Sequence, residues 1–171
     1  METWDAITAR RNVREFADRA IDTSVLDQIL EAGRRAPSSR NWQPWDFVVV
    51  TDRAQLQELS KVWRGAGHVA HSAATIALVP AVTDDQRSRE IAQYDLGQAT
   101  MAMMIVAADH GVGTGHSAVE DQDKARQVLG LPDDRSVAYL IDLGYPAIRP
   151  LKPIKQPNRR PFSEVVHNGR W

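Results

Sequence analysis

The stretch Ala99-Thr100-Met101-Ala102-Met103-Met104-Ile105-Val106-Ala107-Ala108 (residues 99–108) decides the fold class. It is the second half of the longest helical pattern, residues 87–110, and it is apolar almost all round. A helix without a polar face is buried on all sides, so the chain is expected to be built around this one. Gly111 ends it. Beyond it, Val112–Ala118 reads as a short glycine-rich strand or loop, Asp121–Leu129 as a short helix stopped by Gly130, and Val137–Leu143 as a strand running into Gly144-Tyr145-Pro146. The remainder, 146–171, is proline-rich and extended, ending in Trp171. Such a tail is long for a structureless segment of a compact domain, and points to an oligomer whose neighbour it wraps.

Before the central helix, Ala74–Val82 reads as a buried strand. A helix starts from Asp52, with Gln55 as its capping-box partner and Leu56, Leu59, Val62 and Trp63 as its apolar face. Trp45–Thr51 reads as a strand, β-branched and aromatic. A helix from Thr23 carries Val25, Leu26, Ile29, Leu30 and Gly33 at helical spacing and ends before Pro37. A short helix over residues 3–11 opens the chain. Helices dominate, strands are few, and no regular βαβ alternation is present. This is an α+β chain with a central sheet and a long buried helix, one domain over residues 1–171.

Composition narrows the function classes. With 21 basic and 22 acidic side chains, the net charge of −1 gives no pull toward nucleic acid or a membrane surface. Cysteine is absent, which excludes disulfides, thiolate catalysis and cysteine-ligated metals. The opening Met-Glu-Thr-Trp-Asp has no apolar leader, and no apolar run reaches the ~20 residues of a membrane span, so a cytoplasmic location is expected.

Four segments could carry chemistry. Arg10-Arg11-Asn12-Val13-Arg14 follows a helix and offers paired planar donors that suit phosphate oxygens; a solvated basic face is the competing reading. Pro37-Ser38-Ser39-Arg40-Asn41-Trp42-Gln43-Pro44 packs hydroxyls and amides into a proline-bracketed loop, suited to the edge of a heteroaromatic ring or simply to a turn. Gly111-Val112-Gly113-Thr114-Gly115-His116 follows a helix rather than a strand, so it is no dinucleotide fingerprint; its glycines are read as letting backbone approach a ligand. Arg159 and Arg160 in the tail could complete an anion site. His68 and His71 sit at ligand spacing, yet no nearby carboxylate or third ligand accompanies them, so no metal is expected. No Gly-x-Ser-x-Gly and no acid–base pair stands out, and no catalytic side chain is assigned.

In their order along the chain, these segments resemble the nitroreductase superfamily of flavoproteins. Arg10-Arg11-Asn12-Val13-Arg14-Glu15-Phe16 looks like that family's opening Arg-Arg-Ser-x-Arg/Lys-x-Phe, with Asn12 where serine is common. Ala36-Pro37-Ser38-Ser39-Arg40-Asn41-Trp42-Gln43-Pro44-Trp45-Asp46-Phe47 looks like its Ala-Pro-Ser-x-x-Asn-x-Gln-Pro-Trp-x-Phe loop. Asp95–Ala99 through Gly115, Leu143–Pro146 and the closing Arg-Arg-Pro-Phe-Ser-Glu-Val-Val also fit.

The resemblance implies a mostly antiparallel sheet, a homodimer with an FMN site at each interface, and NAD(P)H as electron donor. By it, Arg10, Arg11, Asn12 and Arg159 or Arg160 meet the FMN phosphate and ribityl chain, and Arg14 lies beside flavin N1 and O2. Pro37, Ser38, Ser39, Asn41 and Gln43 reach the flavin from the partner subunit, and Thr114, Gly115 and His116 offer backbone N–H groups toward N5. The implied reaction is ping-pong reduction of nitroaromatic, quinone or similar small-molecule acceptors. Enone reduction, dehalogenation, a deazaflavin cofactor and a non-catalytic flavin-binding dimer are the alternatives on this fold. The short stretch between the third helix and the long one implies an open pocket.

Overall fold

The computed structural model describes residues 2–171. Along the chain, Thr3–Ala9 (α1) and Thr23–Arg34 (α2) precede strand Asp46–Val50 (β1). Arg53–Leu59 (α3), Ala74–Val79 (β2) and the 24-residue Gln86–Asp109 (α4) follow, then Gly113–Ser117 (β3), Gln122–Leu129 (α5) and Tyr139–Gly144 (β4). Local chemistry sets the start of α3 and both ends of α5. Asp52 accepts from the Gln55 backbone N–H at 2.9 Å, capping α3. The reciprocal half of the expected capping box is not made, because the Gln55 side chain donates instead to the Val128 carbonyl at 2.9 Å. Asp121 caps α5 through the Lys124 N–H, and Gly130 closes that helix at φ 65, a left-handed conformation that favours glycine.

The four strands form one antiparallel sheet in the order β1-β2-β4-β3. Strand alternation divides its side chains between two cores. Ile76, Leu78, Ile141 and Leu143 face α2 and α4, while Ala77, Val79 and Leu140 face α3 and the segment around Val69. Gly33 on α2 leaves room for Met103, whose sulfur would lie 2.8 Å from an added Cβ. Helix α4 is central, as its sequence requires, with Leu96, Ala99, Met103, Met104, Ala107 and Ala108 buried. It is not buried on all sides, however. Tyr94, Gly97 and Met101 form a stripe at helical spacing that one chain leaves exposed. Past Leu151 the tail is exposed throughout, with Phe162 and Trp171 carrying large apolar surfaces into solvent.

Candidate functional site

The arginine segment is anchored by the apolar residue in its middle. Val13 is buried beside Ala9, Ala108 and Leu151. Its N–H donates to the Thr114 carbonyl at 2.8 Å, and Asn12 bridges Thr114, so the segment lies along the outer edge of β3. An added Cβ on Gly113 would lie 2.6 Å from a Val13 methyl, and one on Gly115 only 2.7 Å from the Val13 carbonyl oxygen. A Cβ on Gly144 would meet the Phe16 ring at 2.6 Å. The close approach that the glycines at 113 and 115 permit within one chain is that of Val13, packed onto the sheet.

Anchored in this way, the arginines differ in what they can offer. The Arg10 Nε is buried and has no hydrogen-bond partner. Arg11 donates to the carbonyls of Arg149 and, at 3.4 Å, Pro150. Partial burial and then the Arg149 charge push its pKa below the usual guanidinium value. Arg14 is exposed. Arg11, Asn12 and Arg14 line a cleft of about 360 Å³ with Pro146 and Arg149.

On β3 itself, Thr114 points its carbonyl outward to Val13, so strand alternation directs the backbone N–H groups of Thr114 and His116 to that same outer edge. The His116 side chain enters a cavity of about 220 Å³ beside Leu96, Thr100 and Tyr139. Burial lowers its pKa below 6.5, and the Arg10 and Arg14 charges lower it further against the opposing pull of Asp142. The imidazole is therefore uncharged at neutral pH, in a positive field.

Residues Pro37–Pro44 form the second candidate surface. Arg40, Asn41 and Gln43 adopt φ of 53, 58 and 54, a left-handed conformation that costs roughly 1 kcal/mol or more for a non-glycine residue. Local bonds hold them there. The Ser38 hydroxyl accepts from the Gln43 N–H at 2.9 Å, and the Gln43 side chain donates to the Asn41 carbonyl at 3.0 Å. Buried Asp95 of α4 accepts from the Ser39 N–H at 2.9 Å and from the Gln98 amide at 3.1 Å. Asp95→Ala leaves a partly buried N–H without its acceptor and is expected to cost about 1–3 kcal/mol, whereas Asp95→Asn keeps an acceptor and most of the stability; denaturant melts separate the two. Ser39, Arg40 and Trp42 line a cavity of about 660 Å³ with Arg87, Ser88 and Ile91.

Within one chain, then, Arg10–Arg14 and Thr114–His116 are brought together, while Ser39–Trp42 faces a cavity with other walls. Arg159 and Arg160 lie in the exposed tail, where the first donates to the Asn158 carbonyl and the second pairs with Glu164. Two residues of consequence escaped the sequence reading. Asp95 is a carboxylate on the buried side of α4, flanked by buried Ala92 and Ala99, and that placement on an apolar stripe is the signal that could have marked it. Asp142 supplies the carboxylate absent from the sequence around His68, at 2.9 Å from its Nε2. No group of metal-ligating side chains occurs among the described residues, and no helix there is long and apolar enough to cross a membrane.

Comparison with known proteins agrees with this architecture. A profile of the nitroreductase family matches residues 7–145. A provisionally named NADH dehydrogenase/NAD(P)H nitroreductase of Archaeoglobus fulgidus is 29% identical over 99% of both chains. An NADPH-flavin oxidoreductase of Vibrio harveyi is 29% identical over 99% of this chain and 74% of its own length. The structure of NADPH:FMN oxidoreductase from Vibrio harveyi, complexed with NAD+, superposes with a TM-score of 0.84 at 24% identity, over 97% of this chain and 76% of that one. Its sheet, its central helix and its sequence together place the chain in the nitroreductase family.

Proposed function

We propose that the protein is an FMN-dependent oxidoreductase that takes hydride from NAD(P)H and reduces nitroaromatic, quinone or similar organic acceptors, working as a homodimer. The observation that carries this reading is Arg10. A buried guanidinium nitrogen without a partner is costly, and an anion beside it removes that cost. FMN brings a phosphate of the right charge, so the residues present fit the group. Arg10, Arg11 and Asn12 would hold its phosphate and ribityl chain, with Arg159 or Arg160 added once the tail is ordered against a second chain, and Arg14 would lie beside the ring. The outward N–H group of His116, beyond the Asn12–Thr114 bridge, suits a ring edge carrying nitrogen and oxygen acceptors.

Bound FMN supplies the two-electron exchange between nicotinamide and acceptor. The protein's share is to bind, orient and tune. The cation of Arg14 would favour negative charge beside it, which raises the tendency of a bound ring to accept hydride. Uncharged His116 leaves that field to the arginines. No side chain is assigned as general acid or base.

The dimer is supported by three surfaces that one chain leaves uncovered: the α4 stripe Tyr94, Gly97 and Met101, the exposed tail with Phe162 and Trp171, and the Pro37–Gln43 loop. In a dimer Pro37, Ser38, Ser39, Asn41 and Gln43 of the partner subunit would complete the flavin site. The test is the absorbance spectrum of purified protein with added FMN, before and after anaerobic NADH or NADPH, together with the sedimentation mass. Retained flavin bands that bleach with nicotinamide, at twice the chain mass, are expected. A colourless protein that takes up no FMN overturns the reading.

A further inference from the structure

Five polar side chains meet beneath β3 on the α3 side of the sheet, four of them wholly buried. Asp142 accepts from the Thr75 hydroxyl at 3.0 Å through Oδ1. Its Oδ2 accepts from the Ser117 hydroxyl at 3.2 Å and lies 2.9 Å from His68 Nε2. The Ser117 and Thr75 oxygens in turn lie 3.2 Å from His68 Nε2 and 3.0 Å from the Ser72 hydroxyl. Removing a carboxylate from water is expensive even when it is paired, and an apolar residue would fill this position in the sheet at less cost, as Leu140 does two residues earlier. Core packing alone therefore does not account for the cluster.

Its location does. Asp142 lies between Thr75 and Gly115 across three strands. The Cβ position of Gly115 is 3.5 Å from Asp142 Oδ2 and 3.4 Å from His68 Nε2, with the Val13 carbonyl oxygen at 2.7 Å. The Asp142–His68 pair and the Val13 carbonyl oxygen thus crowd one face of Gly115, where only a hydrogen fits. We infer that Asp142 and His68 are positioning residues: they fix β3 at Gly115, and through the Val13–Thr114 hydrogen bond they set where Arg10–Arg14 stands for the ligand. This rests on the flavin reading above. Neither side chain touches the ligand; each acts through the backbone.

The experiment compares parent, Asp142→Asn and a control, Leu56→Ala, in full-length protein. Asn keeps the shape but loses the charge and one acceptor. Leu56 is a buried residue of α3 in the core on that face, and its truncation lowers stability without touching the cluster. Two readouts are taken: exchange of the Val13 amide relative to that of Ile76 in the sheet centre, without flavin, and the Kd for FMN with the visible circular dichroism of the bound flavin. Asp142→Asn is expected to speed relative Val13 exchange about tenfold, weaken FMN about tenfold and alter the dichroism, the loss of one hydrogen bond to a charged group. The control should leave all three near parental values. Parental exchange and Kd in Asp142→Asn, or equal changes in the control, overturn the inference. If Asp142→Asn does not fold, Ser117→Ala carries the same comparison with a smaller shift in the same direction. A parent protein that takes up no FMN overturns the functional reading instead, and relative Val13 exchange alone then decides whether the pair positions the segment.

Discussion

Arg10→Ala is expected to weaken FMN binding by roughly ten- to a hundred-fold, the equivalent of one or two charge-assisted hydrogen bonds. The fold should persist, because the buried Nε bonds to nothing within the chain. Arg14→Ala should act in the same direction with the dimer intact, and by less, since the Arg14 side chain is exposed and water screens its charge. A second readout needs no ligand. The Arg10 charge helps to hold the His116 pKa down, so removing it should let that pKa rise toward 6.5, measurable by NMR titration of the imidazole. An Arg10→Ala protein that binds FMN like the parent would remove the main support for the site.

The second large effect is expected from a single methyl group. Gly115→Ala places Cβ 2.7 Å from the Val13 carbonyl oxygen. That oxygen cannot swing away as a side chain would, because Val13 is itself buried and its N–H is bonded to Thr114. Either β3 or the arginine segment must move, at about 1–3 kcal/mol. Gly67→Ala is the matched control, with nothing within 4 Å of its added Cβ, and should stay within about 0.5 kcal/mol of the parent. Thermal or denaturant melts read the stability difference. FMN affinity should fall in Gly115→Ala alone, since only there is the arginine segment displaced.

What the sequence discloses and what it hides divide along physical lines. Signals that act within a few residues are legible: Asp52 as the start of α3, Gly130 as a stop, and the apolar run 99–108 as the central helix. The exposed stripe through Met101 is not legible, because an apolar residue facing a second chain has the same composition as one facing the core. The left-handed backbone at Arg40 and Gln43 is likewise hidden. No glycine marks it; bonds within residues 38–43 hold it, and distant Asp95 anchors the loop at Ser39. The Asp142–His68 pair is invisible for the same reason, since its members meet only when β4 is laid beside β2. For the glycines the logic of close approach holds, but what they admit is the chain's own Val13, its side chain at 113 and its carbonyl oxygen at 115.

Strand β3 lies at the end of the sheet order, and Asn12 and Val13 pair with its open side at Thr114. An uncovered edge strand presents unpaired N–H and C=O groups to any other copy that can add a strand to it. The segment that carries the arginines is therefore also a guard against self-association. Trimming or displacing the first residues of the chain would surface as clumping during expression and storage before any loss of turnover could be assayed. On the proposed reading, solubility and ligand binding are tied to the same few residues.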